Sequence, residues 1–186
     1  AYQGLGDGLD EDGYGMRMMA ERLPELVIAS SCSKNFGLYR ERTGSITFIA
    51  ETPEQADIVV SQAMSIARSI YSMPPAHVAL LVSMVLGDDQ LRAHWQAELE
   101  TTRLRIKSMR TLLCDSIQDN EAGLDFSHIK EQKGMFSFLG ITSLQLERLR
   151  DEFGIYIVSS TRINLAGVNS NNIDYLSQSM LRVLKP

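Results

Sequence analysis

The sequence contains few cysteines and no excess of basic residues, and both shortages exclude classes of protein. Its 186 residues include two cysteines, Cys32 and Cys114, whose spacing fits neither a disulfide framework nor a metal site. We therefore expect no bound metal ion and a reducing, cytoplasmic location. Lysine and arginine total 18 against 23 acidic residues, for a net charge of −5, and no basic stripe stands out. Nucleic acid is therefore not an expected partner.

Long apolar runs are also missing from the sequence. No segment approaches the roughly 20 consecutive apolar residues that a membrane-spanning helix needs, and no secretory signal is present. We therefore expect no membrane partner. Apolar residues still make up 44% of the chain, which is enough to bury a core.

Strand-like and helical patterns of apolar residues occur together along the chain, which predicts an α/β fold. Leu26–Ser31 and Ser45–Ala50 are rich in Ile, Val and Phe and predict two short buried strands. Thr52 and Gln55 can form a capping box around Pro53, which predicts a helix to about Ser69. Further helices are predicted over 16–22, 76–87, 88–117, 143–153 and 171–184, and further strands over 135–139 and 155–158.

The longest of these helices divides the chain. Apolar residues recur every three or four positions from Asp88 to about Ile117, and Trp95 lies on this apolar face, where we expect it in the core. The pattern predicts an α/β segment over 1–100 and a smaller α/β unit over 101–186, joined by the helix of about 88–117.

A lysine follows the first predicted strand, in the segment Ser31-Cys32-Ser33-Lys34. A lysine at the end of a buried strand is partly desolvated, which favours the neutral amine that can form a Schiff base with an aldehyde such as pyridoxal phosphate. The hydroxyls of Ser31 and Ser33 and the guanidinium of Arg42 could bind a phosphate. A solvated hairpin connection with an exposed Lys34 is the alternative, and composition alone leaves both interpretations open.

The same segment resembles a known family signature. Ser31-x-Ser33-Lys34-Asn35-Phe36-Gly37-Leu38-Tyr39-x-Glu41-Arg42-x-Gly44 is similar to the cofactor-attachment segment of class I aminotransferases, in their aspartate and aromatic-amino-acid subgroup. Segments that resemble the family in the same order are Ala1-Tyr2-Gln3-Gly4, Arg68-x-x-Tyr71-Ser72-x-Pro74-Pro75-Ala76-His77, Gly134-Met135-Phe136-Ser137-Phe138, Leu149-Arg150-x-Glu152-Phe153-Gly154-Ile155-Tyr156 and Arg162-x-Asn164-x-Ala166-Gly167. The resemblance therefore extends over nearly the whole chain.

The resemblance implies a fold and an extent. It implies the carboxy-terminal half of a fold-type I pyridoxal-phosphate enzyme, of a family whose chains are about twice as long. Residues 1–100 would be the last part of the cofactor-binding large domain, and 101–186 the small domain. We therefore expect a fragment that lacks an amino-terminal half and that is incomplete or inactive alone.

The resemblance also implies cofactor-binding roles. Lys34 would carry the Schiff base with pyridoxal 5'-phosphate and act as the catalytic acid and base. Ser31 and Arg42 match phosphate-binding positions, and Ser33 is a weaker candidate whose alternative role is to stabilise the turn. Tyr2 matches the tyrosine whose hydroxyl bonds to the ring oxygen of the cofactor.

Substrate-binding roles follow in the same way. Arg162 matches the arginine that binds the substrate α-carboxylate. Arg68 matches a residue that reaches the partner subunit's site and pairs with the side-chain carboxylate of a dicarboxylic substrate. The implied function is transamination between aspartate or an aromatic amino acid and 2-oxoglutarate, by a homodimer with shared active sites. Met73 and Val78 depart from the aspartate subgroup, which leaves the preferred amino acid open.

Two alternatives remain beside the aminotransferase. One is a lyase or synthase of the same fold family, which would share the serine, lysine and arginine patterns. The other is a stable, non-catalytic domain that associates with other protein and binds no cofactor.

Overall fold

The computed structural model describes residues 2–118, 121 and 123–185. The chain divides into two compact units. Unit 1 comprises Ala1–Gly4 and Gly8–Glu100, and unit 2 comprises Leu5–Asp7 and Thr101–Pro186. The predicted domain assignment of 1–100 and 101–186 concerns a larger protein and stays a prediction.

Unit 1 contains an antiparallel hairpin and several helices. Its elements are α1 (Leu9–Asp12), α2 (Tyr14–Arg22), β1 (Leu26–Ser31), β2 (Gly44–Ile49), α3 (Pro53–Tyr71), α4 (His77–Gly87) and the first part of α5 (Asp89–Gln118). The register pairs Leu26 with Ile49 at one end of the hairpin and Ser31 with Gly44 at the other. The segment 32–43 is therefore held at both of its ends by paired strands.

The two strands lie where the sequence predicts them, but the prediction that they are buried was wrong. Val27 is 61% exposed and Ile46 is 57% exposed. A two-stranded sheet has two faces, and α2 and α3 contact only part of this one. Ile46 lines an open groove with Ile58 and Val59 of α3, so this face is only partly covered and its side chains remain exposed.

The start of α3 follows from local chemistry. The Thr52 hydroxyl accepts a hydrogen bond from the backbone N–H of Gln55, and the Gln55 side chain accepts one from the Thr52 N–H, so the predicted capping box is present. Helix α3 then runs to Tyr71, two residues beyond the prediction. The Pro74-Pro75 pair that follows cannot continue a helix.

Unit 2 is a second small α/β arrangement. Its elements are the remainder of α5, then α6 (His128–Glu131), β3 (Phe136–Phe138), α7 (Ser143–Phe153), β4 (Arg162–Asn164), a 3-10 turn (Leu165–Gly167) and α8 (Ile173–Leu184). Strands β3 and β4 are antiparallel, with Ser137 opposite Ile163. The predicted apolar face of α5 packs into the core, where Ile106, Leu113 and Ile117 are almost fully buried.

The strand predicted over 155–158 was wrong. Gly154 ends α7 in the left-handed conformation, with φ of 63°, and the Ile155 N–H returns to the Leu149 carbonyl at 3.0 Å. The next residues alternate between half-buried and exposed, which produces the strand-like pattern. The backbone that pairs with β3 in the described chain is β4, at 162–164.

The described residues contain no helix that is both long and apolar enough to cross a membrane.

Candidate active site

Lys34 lies in a compact series of turns between β1 and β2. The Cys32 N–H donates to the Thr43 carbonyl at 3.0 Å, and the Leu38 N–H donates to the Cys32 carbonyl at 3.3 Å. A further bond joins the Gly37 N–H to the Lys34 carbonyl at 3.2 Å, and Gly37 has φ of 68°, which favours glycine. Hydrogen bonds within the loop backbone therefore fix the position from which the Lys34 side chain extends.

A hollow of about 500 Å³ lies beside this loop. Its lining consists of Tyr2, Ser33, Lys34, Tyr39, Arg40 and Arg42. Unit 1 therefore brings four of the seven residues proposed from sequence, Tyr2, Ser33, Lys34 and Arg42, to one place. Amine, hydroxyl and guanidinium groups predominate there, and such donors suit an anionic group.

The two serines of the segment are joined by their side chains. The Ser31 hydroxyl donates to the Ser33 hydroxyl at 2.7 Å, and the Ser33 backbone N–H donates to the Ser31 oxygen at 3.2 Å. Ser33 is buried, with 8% exposed. Ser31 is therefore connected to the hollow through Ser33, although it does not line the hollow itself.

Tyr39 organises the two cationic side chains, and no role was predicted for it. The Lys34 Nζ lies 4.0 Å from the centre of the Tyr39 ring, and the Arg42 guanidinium carbon lies 5.7 Å from it. Arg42 also donates to the Tyr39 carbonyl at 2.9 Å. Attraction between cation and ring face holds both charges on one side of the loop. The signal that could have found Tyr39 was its place within the quoted segment.

Backbone strain occurs at one candidate residue and near two others. The described residues other than glycine have positive φ at Arg42 (55°), Ser72 (68°) and Thr161 (63°). Arg42 is itself a candidate, and Thr161 precedes Arg162. Ser72 follows Tyr71 at the end of the helix that carries Arg68. Such conformations cost about 1–3 kcal/mol each and are concentrated at functional sites.

Trp95 supports the lysine loop from α5. Its ring stacks on Phe36 with centroids 4.4 Å apart, and its Nε1 donates to the Asn35 carbonyl at 2.8 Å. Trp95 therefore packs against the loop, but it is half-buried and does not lie in the core, where the sequence predicted it. Burial raises the pKa of the neighbouring Cys32 thiol, which disfavours the thiolate and therefore a nucleophilic role.

Arg68 lies apart from the hollow. It occupies the last turn of α3 with its side chain exposed, and it is not among the residues that line the hollow. The structure of this chain therefore leaves Arg68 on the surface of unit 1.

Arg162 begins β4 in unit 2 and lies on an aromatic ring. Its guanidinium carbon is 4.5 Å from the centre of Phe136, on the neighbouring strand. Both residues line a cavity of about 500 Å³, which also includes Tyr156, Asn164 and Tyr175. Phe136 was quoted in the sequence pattern without a role, and its contact with Arg162 assigns it one.

A match to a protein family decides the identity of this arrangement. The family described as aminotransferase class I and II matches residues 1–180. The chain belongs to this aminotransferase family. The predicted family resemblance and the predicted α/β fold are therefore confirmed.

Individual members of the aminotransferase family show the same likeness. An aspartate aminotransferase of Haemophilus influenzae is 51% identical over 184 residues, which are 99% of this chain and 46% of that protein. An aromatic-amino-acid aminotransferase of Pseudomonas aeruginosa is 44% identical over 98% of this chain and 46% of its own length.

A solved structure extends the comparison to the fold. The aromatic-amino-acid aminotransferase of Burkholderia pseudomallei, covalently bound to pyridoxal phosphate, superposes with a TM-score of 0.96 at 41% identity. The match covers 100% of this chain and 46% of that one. This aminotransferase chain therefore spans about half the length of the relatives that it matches.

Proposed function

We propose that the whole protein is a pyridoxal-phosphate-dependent aminotransferase that exchanges an amino group between aspartate or an aromatic amino acid and 2-oxoglutarate. The observation that carries the proposal is the hollow of unit 1, where Tyr2, Ser33, Lys34 and Arg42 converge. Relatives named as aspartate and aromatic-amino-acid aminotransferases support this class of substrate.

The residues of the hollow fit a phosphate-bearing aldehyde. A lysine amine can attach covalently to an aldehyde, and hydroxyl and guanidinium donors suit the oxygens of a phosphate. All three kinds of group line this hollow or bond to its lining. When bound, pyridoxal phosphate supplies an electron sink for the negative charge that develops at the substrate α-carbon.

The residues of unit 1 divide the work of holding the cofactor and moving a proton. Lys34 Nζ would hold the cofactor covalently and, once displaced by substrate, would take and return the proton of the α-carbon as general base and acid. Ser31, Ser33 and Arg42 would bind the phosphate. The Tyr2 hydroxyl would donate a hydrogen bond to the ring oxygen of the cofactor.

Two arginines would bind the substrate. Arg162 would bind the α-carboxylate with a bidentate guanidinium, and its place on the Phe136 ring supports a fixed orientation. Arg68 would pair with a side-chain carboxylate in the partner subunit's site, and its exposure on α3 is compatible with that use. A homodimer with shared sites and a cytoplasmic location belong to the same proposal.

Selective labelling of Lys34 tests the proposal. The chain is mixed with pyridoxal phosphate and reduced with borohydride, and the modified lysine is located by mass spectrometry. We expect modification at Lys34 at cofactor concentrations that leave the exposed Lys185 unmodified, because the hydroxyls and Arg42 add phosphate binding beside Lys34. Arg42→Ala should weaken this preference, and Arg92→Ala, which removes an exposed arginine of α5, should not.

Equal modification of Lys34 and Lys185 would contradict a cofactor site in this chain and favour the non-catalytic alternative. Selective modification without transamination by the whole protein would instead favour a lyase or synthase of the same fold. Assays with aspartate, tyrosine and phenylalanine as amino donors distinguish these cases.

The substrate role of Arg68 has a test of its own. In the whole protein, Arg68→Ala should lower kcat/KM for aspartate about 10- to 100-fold more than for phenylalanine. The reason is that hydrogen bonds to charged groups contribute about 1.5–3 kcal/mol, and phenylalanine has no side-chain carboxylate to lose one. Equal losses for both substrates would contradict this role, and Arg92→Ala is again the matched control.

A further inference from the structure

Arg110 is a buried cation on α5 with no role in the proposed function. Its side chain is 3% exposed, and its four hydrogen bonds go to uncharged acceptors of the described chain. They are the carbonyls of Ile129 and Phe136, both at 3.3 Å, the carbonyl of Gly134, and the Ser137 hydroxyl. Burial lowers the pKa of Arg110. Burying a charge costs free energy unless hydrogen bonds compensate it. The acceptors of Arg110 therefore identify the segment that it holds in place.

Three of the four acceptors belong to one short segment. Gly134, Phe136 and Ser137 form β3 and its approach, and the Met135 carbonyl between them accepts from the Leu165 N–H at 2.8 Å. Alternate carbonyls of the segment therefore point to Arg110 on one side and to the backbone after β4 on the other. Arg110 completes the hydrogen bonding of the side of β3 that no strand of the described chain pairs with.

The alternation of side chains along β3 separates a buried face from an exposed one. Ser137 is fully buried, and its partner in the register, Ile163, is buried as well. Phe136 and Phe138 lie on the opposite face, together with Arg162, which is the register partner of Phe138. The face that Arg110 holds is thus the reverse of the face that presents Arg162.

We propose that Arg110 is a positioning residue for Arg162. By binding the buried side of β3, its guanidinium fixes the Phe136 ring on which the Arg162 guanidinium lies, and so sets the direction in which Arg162 offers its donors. The inference rests on the proposed function for one step, which is that Arg162 binds the substrate carboxylate. The chain of contacts from Arg110 to Arg162 lies entirely within unit 2.

The shape of the guanidinium explains the use of arginine at this position. A planar fork can donate to several carbonyls at once, whereas a lysine ammonium is a single point from which these acceptors cannot all be reached. Arg110→Lys therefore keeps the charge but loses most of the hydrogen bonds to these acceptors. Arg110→Met loses both and leaves buried carbonyls without a donor.

The test follows the side chain of Arg162 directly, without any enzymatic assay. The chain is labelled with ¹⁵N-arginine, and the Arg162 Nε–H signal is assigned from its loss in Arg162→Lys. Phe136→Leu gives the position of this signal without the ring. We expect Arg110→Lys to move the signal more than halfway towards its Phe136→Leu position. An unmoved signal in a folded Arg110→Lys chain overturns the proposal.

Two further variants keep the test decisive. Val183→Ala removes buried side-chain volume from α8 and changes no residue of β3 or β4, and it should leave the Arg162 signal in place although it lowers stability. If Arg110→Lys and Arg110→Met do not fold, Ser137→Ala removes one acceptor while keeping the buried guanidinium. It should move the signal in the same direction by a smaller amount, and no movement counts against the proposal.

Steady-state kinetics of the whole protein test whether Arg110 affects substrate binding through Arg162. Arg110→Lys should raise KM for the amino donor about tenfold, equivalent to about 1.4 kcal/mol, with a smaller change in kcat, because a misdirected Arg162 weakens binding. Val183→Ala should leave KM unchanged. If the protein proves not to be an aminotransferase, this arm fails while the Arg162 signal still decides whether Arg110 positions Arg162.

Discussion

The two units of the chain differ sharply in how they bury apolar side chains. In unit 2, the buried apolar side chains come from α5, α7, α8 and the residues in and around the β3–β4 sheet, and Leu113, Leu149 and Leu165 have no exposed surface. Among the apolar side chains that are buried in the described part of the chain, Leu99 is the only one in unit 1. Unit 2 therefore has a core of its own, and unit 1 has the apolar residues without a comparable core.

Helix α4 makes the difference clear. Its 11 residues, HVALLVSMVLG, are apolar on every face, which is typical of a helix buried inside a larger protein. Leu80 is nevertheless 60% exposed and Met84 is 63% exposed. An apolar pattern shows that an element is suited to burial, and it does not identify the residues that cover it.

Truncation of one leucine in each unit gives the largest expected contrast. Leu113→Ala in unit 2 should lower the free energy of unfolding by about 2–5 kcal/mol, because it removes a fully buried side chain and leaves a cavity. Leu80→Ala in unit 1 should change it by less than about 0.5 kcal/mol.

Denaturant unfolding followed by two probes makes the measurement. Circular dichroism reports the whole chain, and the fluorescence of Trp95, the one tryptophan of the sequence, reports unit 1. A loss of several kcal/mol in Leu80→Ala would show that α4 is covered, and it would remove the contrast between the units.

Local elements were the most predictable part of the fold. The Thr52 capping box, the helix predicted over 143–153 and the span of α5 follow from neighbouring residues, and the structure has them where the sequence indicates. The strand at 155–158 failed because alternation predicts an extended segment, while pairing depends on what lies beside it. The prediction that Val27 is buried was wrong for the same reason, since burial depends on distant residues.

The candidate site divides in the same way. A sequence signature was enough to propose Lys34 and its neighbours, because they lie within one loop. The support of the Lys34 loop by Trp95 and the hydrogen bonds of Arg110 to β3 join residues through contacts that no local pattern contains. Interactions between distant segments therefore account for what the sequence could not supply.

The two capping boxes provide a matched comparison of intermediate size. Gln55 N–H donates to Thr52 at 3.2 Å in unit 1, and Gln145 N–H donates to Thr142 at 3.3 Å in unit 2. Each Thr→Ala substitution should cost about 1 kcal/mol, and each Thr→Ser substitution much less, since serine also caps. We expect Thr52→Ala to shift the Trp95 transition and Thr142→Ala to shift the remaining dichroism transition. Identical shifts of both probes by both variants would mean that the units unfold as one.

The smallest expected effect is the dependence of stability on acidic pH that Asp125 contributes in unit 2. The backbone N–H and the hydroxyl of Ser127, each at 2.8 Å, and the Gln118 amide at 3.1 Å bond to the Asp125 carboxylate. These hydrogen bonds, the backbone one foremost, hold the pKa of Asp125 below its ordinary value, with a smaller contribution from the charge of His128.

Because the pKa of Asp125 is lower in the folded chain than in the unfolded one, its stabilisation is fully present above the unfolded pKa. It is lost as the pH falls through the folded pKa. Asp125→Asn should therefore be less stable than the wild type near neutral pH, and the two should converge in acid. Unfolding in denaturant over a series of pH values measures this difference, with Asp57→Asn in unit 1 as the matched control. Parallel curves for the wild type and Asp125→Asn would show that these hydrogen bonds do not couple Asp125 to the folding of unit 2.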